Sequence, residues 1–212
     1  MANEIEPALR LAARAYAREE GVSIPEAHFA NLDWLKLQDG LPDGQYDAVY
    51  VLGNSLCHLE SESQVERAIE NFSDVLAPGG VLICDERNFD YITSEWDNIK
   101  GDPWNRFRFN RREEKVMYHG EQVMGAPVDR RNGRVIFEYA EVNRDATGIH
   151  AGARLGYLNM LAFGKGTLKG KLEDKFANVE VYCDLQPSQN GKLDDAADFF
   201  AYVATKKAEH VS

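Results

Sequence analysis

The 212-residue chain sets 24 Lys and Arg against 35 Asp and Glu, a formal charge of −11, with 44% hydrophobic and 28% charged residues. That is a folding composition for about one domain, and its acidity argues against nucleic acid or an anionic membrane as partner. No run approaches the ~18 apolar residues of a membrane span, and no basic-then-apolar leader opens the sequence.

The first predicted helix is capped by Asn3, with Glu6 three residues on and Pro7 in the first turn. Ile5, Leu9, Ala12 and Tyr16 share one face, and Gly21 ends it. Pro25 and the piece around His28-Phe29-Ala30 predict a loop and a brief strand. Tyr46–Leu52 reads as a strand, and Gly53-Asn54-Ser55 turns the chain. Ser63 and Glu66 form a capping-box pattern for a helix whose Val65, Ile69, Phe72 and Leu76 recur at helical spacing. Pro78-Gly79-Gly80 stops that helix, and Val81-Leu82-Ile83-Cys84 is a second apolar strand. Strand, helix and strand with such apolar strands predict a buried parallel sheet, so the expected fold class is α/β.

After Asp90 the period changes. Residues 116–124, 134–142 and 153–163 alternate like half-buried antiparallel strands. Asn132-Gly133 is a hairpin signal between the first two, and Asp145–Gly148 lies between the second and third. This predicts an antiparallel β insertion over residues 107–165. The α/β body then resumes with a helix on Leu168, Leu172 and Phe176, a strand at Val179–Cys183 and a last strand at Phe199–Ala204. Residues 206–212 read as a frayed end. Cys57, Cys84 and Cys183 show no CxxC spacing, which fits reduced thiols in a cytoplasmic protein.

Ligands of open α/β sheets lie beyond the carboxyl ends of the strands. That rule selects Asp33-Trp34, Leu52–His58 and Asp85–Asp90. Arg87, just past a buried strand, is able to clamp a carboxylate with its planar fork, or to pair with Asp85 or Glu86. Tyr118, Tyr139 and Tyr157 fall one on each insertion strand and either reach a ligand or pack the sheet. His58 is a base or a structural histidine. No metal-ligand spacing is present, and Gly164, Gly166 and Gly170 are too loosely spaced for a phosphate loop.

The stretches YDAVYVLGNSLCHL and LAPGGVLICDERNFDYI resemble the glycine/sarcosine/dimethylglycine N-methyltransferases, which methylate an amine from S-adenosylmethionine. YLNML, VYCDLQ and ADFFAYVATKK look like the branch that completes glycine betaine. LGNS followed by D-x-R-N after PGG carries most of the specificity, and the similarity runs from about Asn3 to Lys207. The resemblance implies that Asp33 and Trp34 hold the adenine, that the Leu52 backbone contacts the cofactor, and that His58 lies near its methionine end. It also implies that Asn54 and Ser55 sit near the substrate and that Arg87 binds the substrate carboxylate. Tyr118, Tyr139 and Tyr157 would surround the amine and sulfonium, with His58 as a proton acceptor and no metal.

The implied fold is a Rossmann-like class I methyltransferase sheet over residues 1–212, one domain lacking the N-terminal strands. In that family a first strand, a Gly-rich turn and an acidic residue ending the second strand hold the methionine and ribose parts. Neither the turn nor the acid precedes Asn3. The sequence therefore reads as a truncated enzyme, with the Tyr46–Leu52 strand short of one neighbour, prone to association and weak in cofactor binding. The expected partners are a small amino-acid substrate and, as an option, a second copy of the chain. Two rivals stand beside this reading: a non-catalytic remnant of the fold that binds no cofactor, and a nicotinamide-dependent oxidoreductase, which the missing turn disfavours.

Overall fold

The computed structural model describes residues 2–208 except 5, 24, 26–28, 42, 45, 107–122 and 146–147. Strand β1 (Ala2–Asn3) lies parallel to β2 (Phe29–Ala30). Asn3 is thus in a strand and caps no helix. Its side-chain amide donates to Leu32 O at 2.9 Å and accepts from Leu32 N at 2.8 Å, which adds a rung to the ladder. Helix α1 (Pro7–Glu19) is capped instead by Glu6, whose carboxylate accepts from Ala8 N at 3.2 Å, with Pro7 in the first turn. The predicted apolar face of α1 is not buried: Leu9 and Tyr16 are exposed, no α1 residue is buried, and Ile5 lies outside the described residues.

A 3₁₀ helix at Trp34–Asp39 leads to β3 (Tyr46–Val51). After a second 3₁₀ turn, Ser55–His58, comes α2 (Glu62–Val75). Its cap sits two residues before the expected Ser63. Ser61 accepts from Gln64 N at 3.3 Å, while Gln64 Oε1 accepts from Glu60 N at 2.9 Å. Val65, Ile69 and Phe72, the predicted face, are buried. Strand β4 (Leu76–Arg87) follows without a break, so Pro78-Gly79-Gly80 forms a bulge inside a strand and does not separate helix from strand. A Cβ at Gly80 would stand 2.9, 3.0 and 3.1 Å from the carbonyl oxygens of Ala77, Tyr46 and Asp47, so only glycine lets β3 lie this close.

Three short helices that the sequence did not announce come next: α3 (Phe89–Ser94), α4 (Trp96–Ile99) and α5 (Pro103–Arg106). Then β5 (Val123–Arg131), β6 (Arg134–Asp145) and β7 (Gly148–Leu161) make a three-stranded antiparallel sheet. Asn132 (φ 51°) and Gly133 (φ 70°) are both left-handed, as a tight β5–β6 hairpin requires. Of the predicted first strand, 116–124, residues 116–122 lie outside those described, and Val123 and Met124 open β5, which runs on to Arg131. The chain ends with α6 (Thr167–Lys175), β8 (Asn178–Cys183), the short β9 (Gln186–Pro187) and β10 (Phe199–Thr205).

The five-stranded sheet has the order β3-β4-β10-β8-β9. Only β3 and β4 are parallel; β10 runs antiparallel to both of its neighbours. The sheet is therefore mixed where a parallel one was expected, within the α/β class. Strand β3 stands at the edge, and a groove of about 250 Å³ separates its Val49, Tyr50 and Val51 from Asn3. One apolar cluster joins both larger sheets: Val135, Phe137 and Met160 of the antiparallel sheet pack with Ile69, Phe72, Cys84 and Phe200.

Candidate functional site

The site begins where β3 ends. Gly53 (φ 78°) and Asn54 (φ 60°) are two consecutive left-handed residues, a tight reversal that aims backbone N–H groups back at β4. The Asp85 carboxylate receives them, with Oδ2 at 3.1 Å from Gly53 N and Oδ1 at 2.6 Å from Asn54 N. Asn54 is itself buried, and its amide spans three elements. Oδ1 accepts from Arg87 N at 3.0 Å, and Nδ2 donates to Cys57 Sγ at 3.1 Å and Met160 Sδ at 3.7 Å. Ser55 Oγ donates to Leu52 O at 2.6 Å. The Cys57 thiol donates to Asn54 O at 2.8 Å, and burial pushes it up to about 12, so it is no nucleophile at neutral pH.

Arg87 ends β4 with its side chain almost wholly buried. Its guanidinium carbon lies 4.7 Å from the ring centre of Phe199, its direct cross-strand neighbour on β10, and 5.3 Å from that of Phe137 on β6. Two aromatic rings thus lie within cation–π distance of the guanidinium. Burial lowers its pKa to about 10, opposed by Tyr139, Cys57, Asp198 and Asp85, and it stays a cation at pH 7. Tyr139 shares its face of β6 with Phe137 and lies across from Gly125, where a Cβ would approach the Tyr139 ring to 2.8 Å. Glycine at 125 gives that ring its place.

Beside this cluster, a cavity of about 350 Å³ is lined by Asn3, Glu4, Leu32, Asp33, Trp34, Ser55, His58 and Leu59. It lies past the ends of β1, β2 and β3, where an α/β sheet presents its ligands. Asp33 caps the 3₁₀ helix through Leu35 N at 2.9 Å, Trp34 sits edge-on to Phe72, and Asn71 of α2 donates to Trp34 O at 2.7 Å. An aromatic ring, two carboxylates and an imidazole suit a flat nucleoside base with polar edges. Burial, and then the charge of Arg134, hold His58 below its ordinary pKa, so its imidazole is neutral at pH 7.

Two groupings of the sequence-derived residues result. Asp33, Trp34, Ser55 and His58 meet around the cavity, with Leu52 tied to Ser55. Asn54, Arg87 and Tyr139 meet in the buried cluster next to it. Tyr157 joins neither, against expectation. It pairs with Glu138, one residue from Tyr139, and so faces the other side of the sheet, half exposed under the Arg154 guanidinium at 5.1 Å. Tyr118 lies outside the described residues. Sequence reasoning missed the roles of Glu4, Asp85, Phe137 and Phe199. Only Asp85 carried a signal, an acid two residues before Arg87 at a strand end. Among the described residues no group of three or more His, Cys, Asp and Glu is placed to hold a metal ion, and no helix is long and apolar enough to cross a membrane.

Residues 1–84 match the family described as methyltransferase domain. The chain is 28% identical over 177 residues to the glycine/sarcosine/dimethylglycine N-methyltransferase of Actinopolyspora halophila, covering 83% of this chain and 27% of that protein. It is 29% identical over 178 residues to the glycine/sarcosine N-methyltransferase of Halorhodospira halochloris, covering 83% of this chain and 56% of that one. The chain thus spans about a quarter to a half of these relatives' length. In fold it is similar to the crystal structure of an S-adenosylmethionine-dependent methyltransferase from Clostridium acetobutylicum, with a TM-score of 0.64 and 15% identity over 98% of this chain and 74% of that one.

Proposed function

We propose that the chain, whose residues 1–84 match a methyltransferase domain and whose fold is that of an S-adenosylmethionine-dependent methyltransferase, passes a methyl group to the amine of glycine, sarcosine or dimethylglycine. The observation that carries the substrate class is Arg87, a buried cation packed against two aromatic rings with Tyr139 near it. A buried guanidinium packed against aromatic rings keeps a planar donor edge, and a planar carboxylate matches that edge. The names of the relatives support the amine.

Residues 1–212 form one partial methyltransferase domain in this reading, with the antiparallel part, 107–165, covering the substrate. Asp33 and Trp34 hold the adenine end of the cofactor, and the Leu52 backbone, Ser55 and His58 line its path towards Asn54. S-adenosylmethionine, when bound, supplies the methyl group on its sulfonium. The chain's own part is placement: Arg87 fixes the carboxylate, and Asn54 fixes Arg87 through its backbone N–H. The Tyr139 hydroxyl and ring face the amine side. Neutral His58 accepts the proton that the amine must lose. Tyr157 has no place in this arrangement.

Calorimetric titration of the chain with S-adenosylmethionine, repeated on Trp34→Ala, tests the cofactor assignment. Mass spectrometry of glycine, sarcosine and dimethylglycine incubated with both tests the transfer. Saturable heat lost in Trp34→Ala, and a methylated product, are the expected results. A folded chain that gives neither heat nor product is a non-catalytic member of the fold, and the proposal fails.

A further inference from the structure

Arg134 opens β6 directly after the Asn132-Gly133 turn, and its guanidinium serves four acceptors. Nε donates to Asn159 Oδ1 at 2.9 Å and Nη2 to Asn159 O at 2.7 Å, both on β7. Nη1 donates to Leu59 O at 3.3 Å and Glu60 O at 3.0 Å, the carbonyls that follow the Ser55–His58 turn. Carbonyls at the end of a helical turn lack intrahelical donors and carry partial negative charge, so a cationic fork is well matched to them. Another polar link from the antiparallel sheet to this turn, Asn54 Nδ2 to Met160 Sδ at 3.7 Å, is a weak one.

We propose that Arg134 is a positioning residue that latches the antiparallel sheet onto the His58 loop, so that Tyr139 on one side and Asn54 and His58 on the other keep a single relative placement. The latch is a statement about structure alone; its consequence for binding rests on the function proposed above. Burial first, and the charge of Arg134 after it, lower the His58 pKa, and the other charged groups lining the His58 cavity are Glu4 and Asp33. Lysine cannot take its place, because an ammonium lacks the planar fork that reaches Asn159 and two loop carbonyls together.

Hydrogen exchange and an NMR titration of His58, on the full chain and on Arg134→Lys and Arg134→Gln, separate fork from charge. Exchange at the Cys57 and Leu59 amides, which close the 3₁₀ turn, should quicken roughly tenfold in both variants, while β10 amides stay unchanged. The His58 midpoint should rise in Arg134→Gln and stay low in Arg134→Lys. Should Arg134→Gln not fold, Asn159→Ala removes one strand-side anchor and must quicken the same amides. Exchange within about twofold of the parent in Arg134→Lys overturns the latch. If the parent binds S-adenosylmethionine and Arg134→Lys binds it equally well despite faster exchange, the latch stands and its link to the site is refuted.

Discussion

Replacing Glu86 by glutamine isolates the cost of one buried acid. Glu86 lies on β4, 2% exposed. Its Oε1 accepts from the hydroxyl of Tyr202, a diagonal neighbour on β10, and Oε2 has no hydrogen-bond partner. Burial pushes the carboxyl up from 4.5 to about 8, against the Tyr202 hydrogen bond and with help from Asp90 and Asp85. The folded protein therefore keeps this proton at pH 7, while the unfolded chain has lost it. Folding takes up a proton between the two values, so stability falls as pH rises from 4.5 to about 8. The slope is about 1.4 kcal/mol per pH unit, or about 2.7 kcal/mol between pH 5 and pH 7. The side-chain amide introduced by Glu86→Gln does not titrate and still offers Tyr202 an acceptor, so the variant escapes this decline. Urea unfolding of both proteins at pH 5, 6, 7 and 8 measures it. The stability difference, variant minus parent, should grow by about 2.7 kcal/mol from pH 5 to pH 7 and level off above pH 8. A constant offset over that range would show that Glu86 ionises in the folded state as it does in water, and the burial argument would fall.

Arg87→Lys keeps a charge but loses the planar edge beside Phe137 and Phe199, so the KM for the amino acid should rise at least roughly tenfold in a chain that methylates; an unchanged KM removes the carboxylate clamp. Asp85→Asn leaves one acceptor for the two N–H groups of Gly53 and Asn54 and turns a donor towards the other, which should cost about 1–3 kcal/mol in urea unfolding. No loss would mean that the reversal after β3 holds itself.

The parts of the fold that the sequence displays are those fixed by near neighbours. The β3–α2–β4 unit, the Asn132-Gly133 hairpin and the α6 face of Leu168, Leu172 and Phe176 each follow from period and turn chemistry among near neighbours in the chain. The same local reading picked Ser63 as a cap, although Ser61 had its own partner in Gln64 three residues on. Position along a strand misled more seriously. Tyr139 and Tyr157 each sit on a plausible strand, but the pairing of Glu138 with Tyr157 sends their rings to opposite faces, and nothing near either residue states that register. The resemblance implies only that Asn54 sits near the substrate. Its bonds to Arg87, Cys57 and Met160 join residues up to 106 apart, and only the folded chain brings them together.

The cavity beside Trp34 has two walls with unequal anchorage. Ser55, His58, Leu59 and Leu32 rest on the main core, whereas Asn3 and Glu4 rest on a two-pair ladder, one backbone bond from Glu4 N to Ala30 O and one side-chain rung. Helix α1, which follows that ladder, buries none of its residues. Local opening of the N-terminal wall therefore costs little compared with opening β4 or β10. A ligand that touches both walls must spend part of its contact energy in pinning the looser one, and linkage returns that energy as protection of the N-terminal segment alone. The rate at which trypsin cuts after Arg10, Arg14 and Arg18 in α1 then becomes a gauge of occupancy in a cavity that none of those arginines lines.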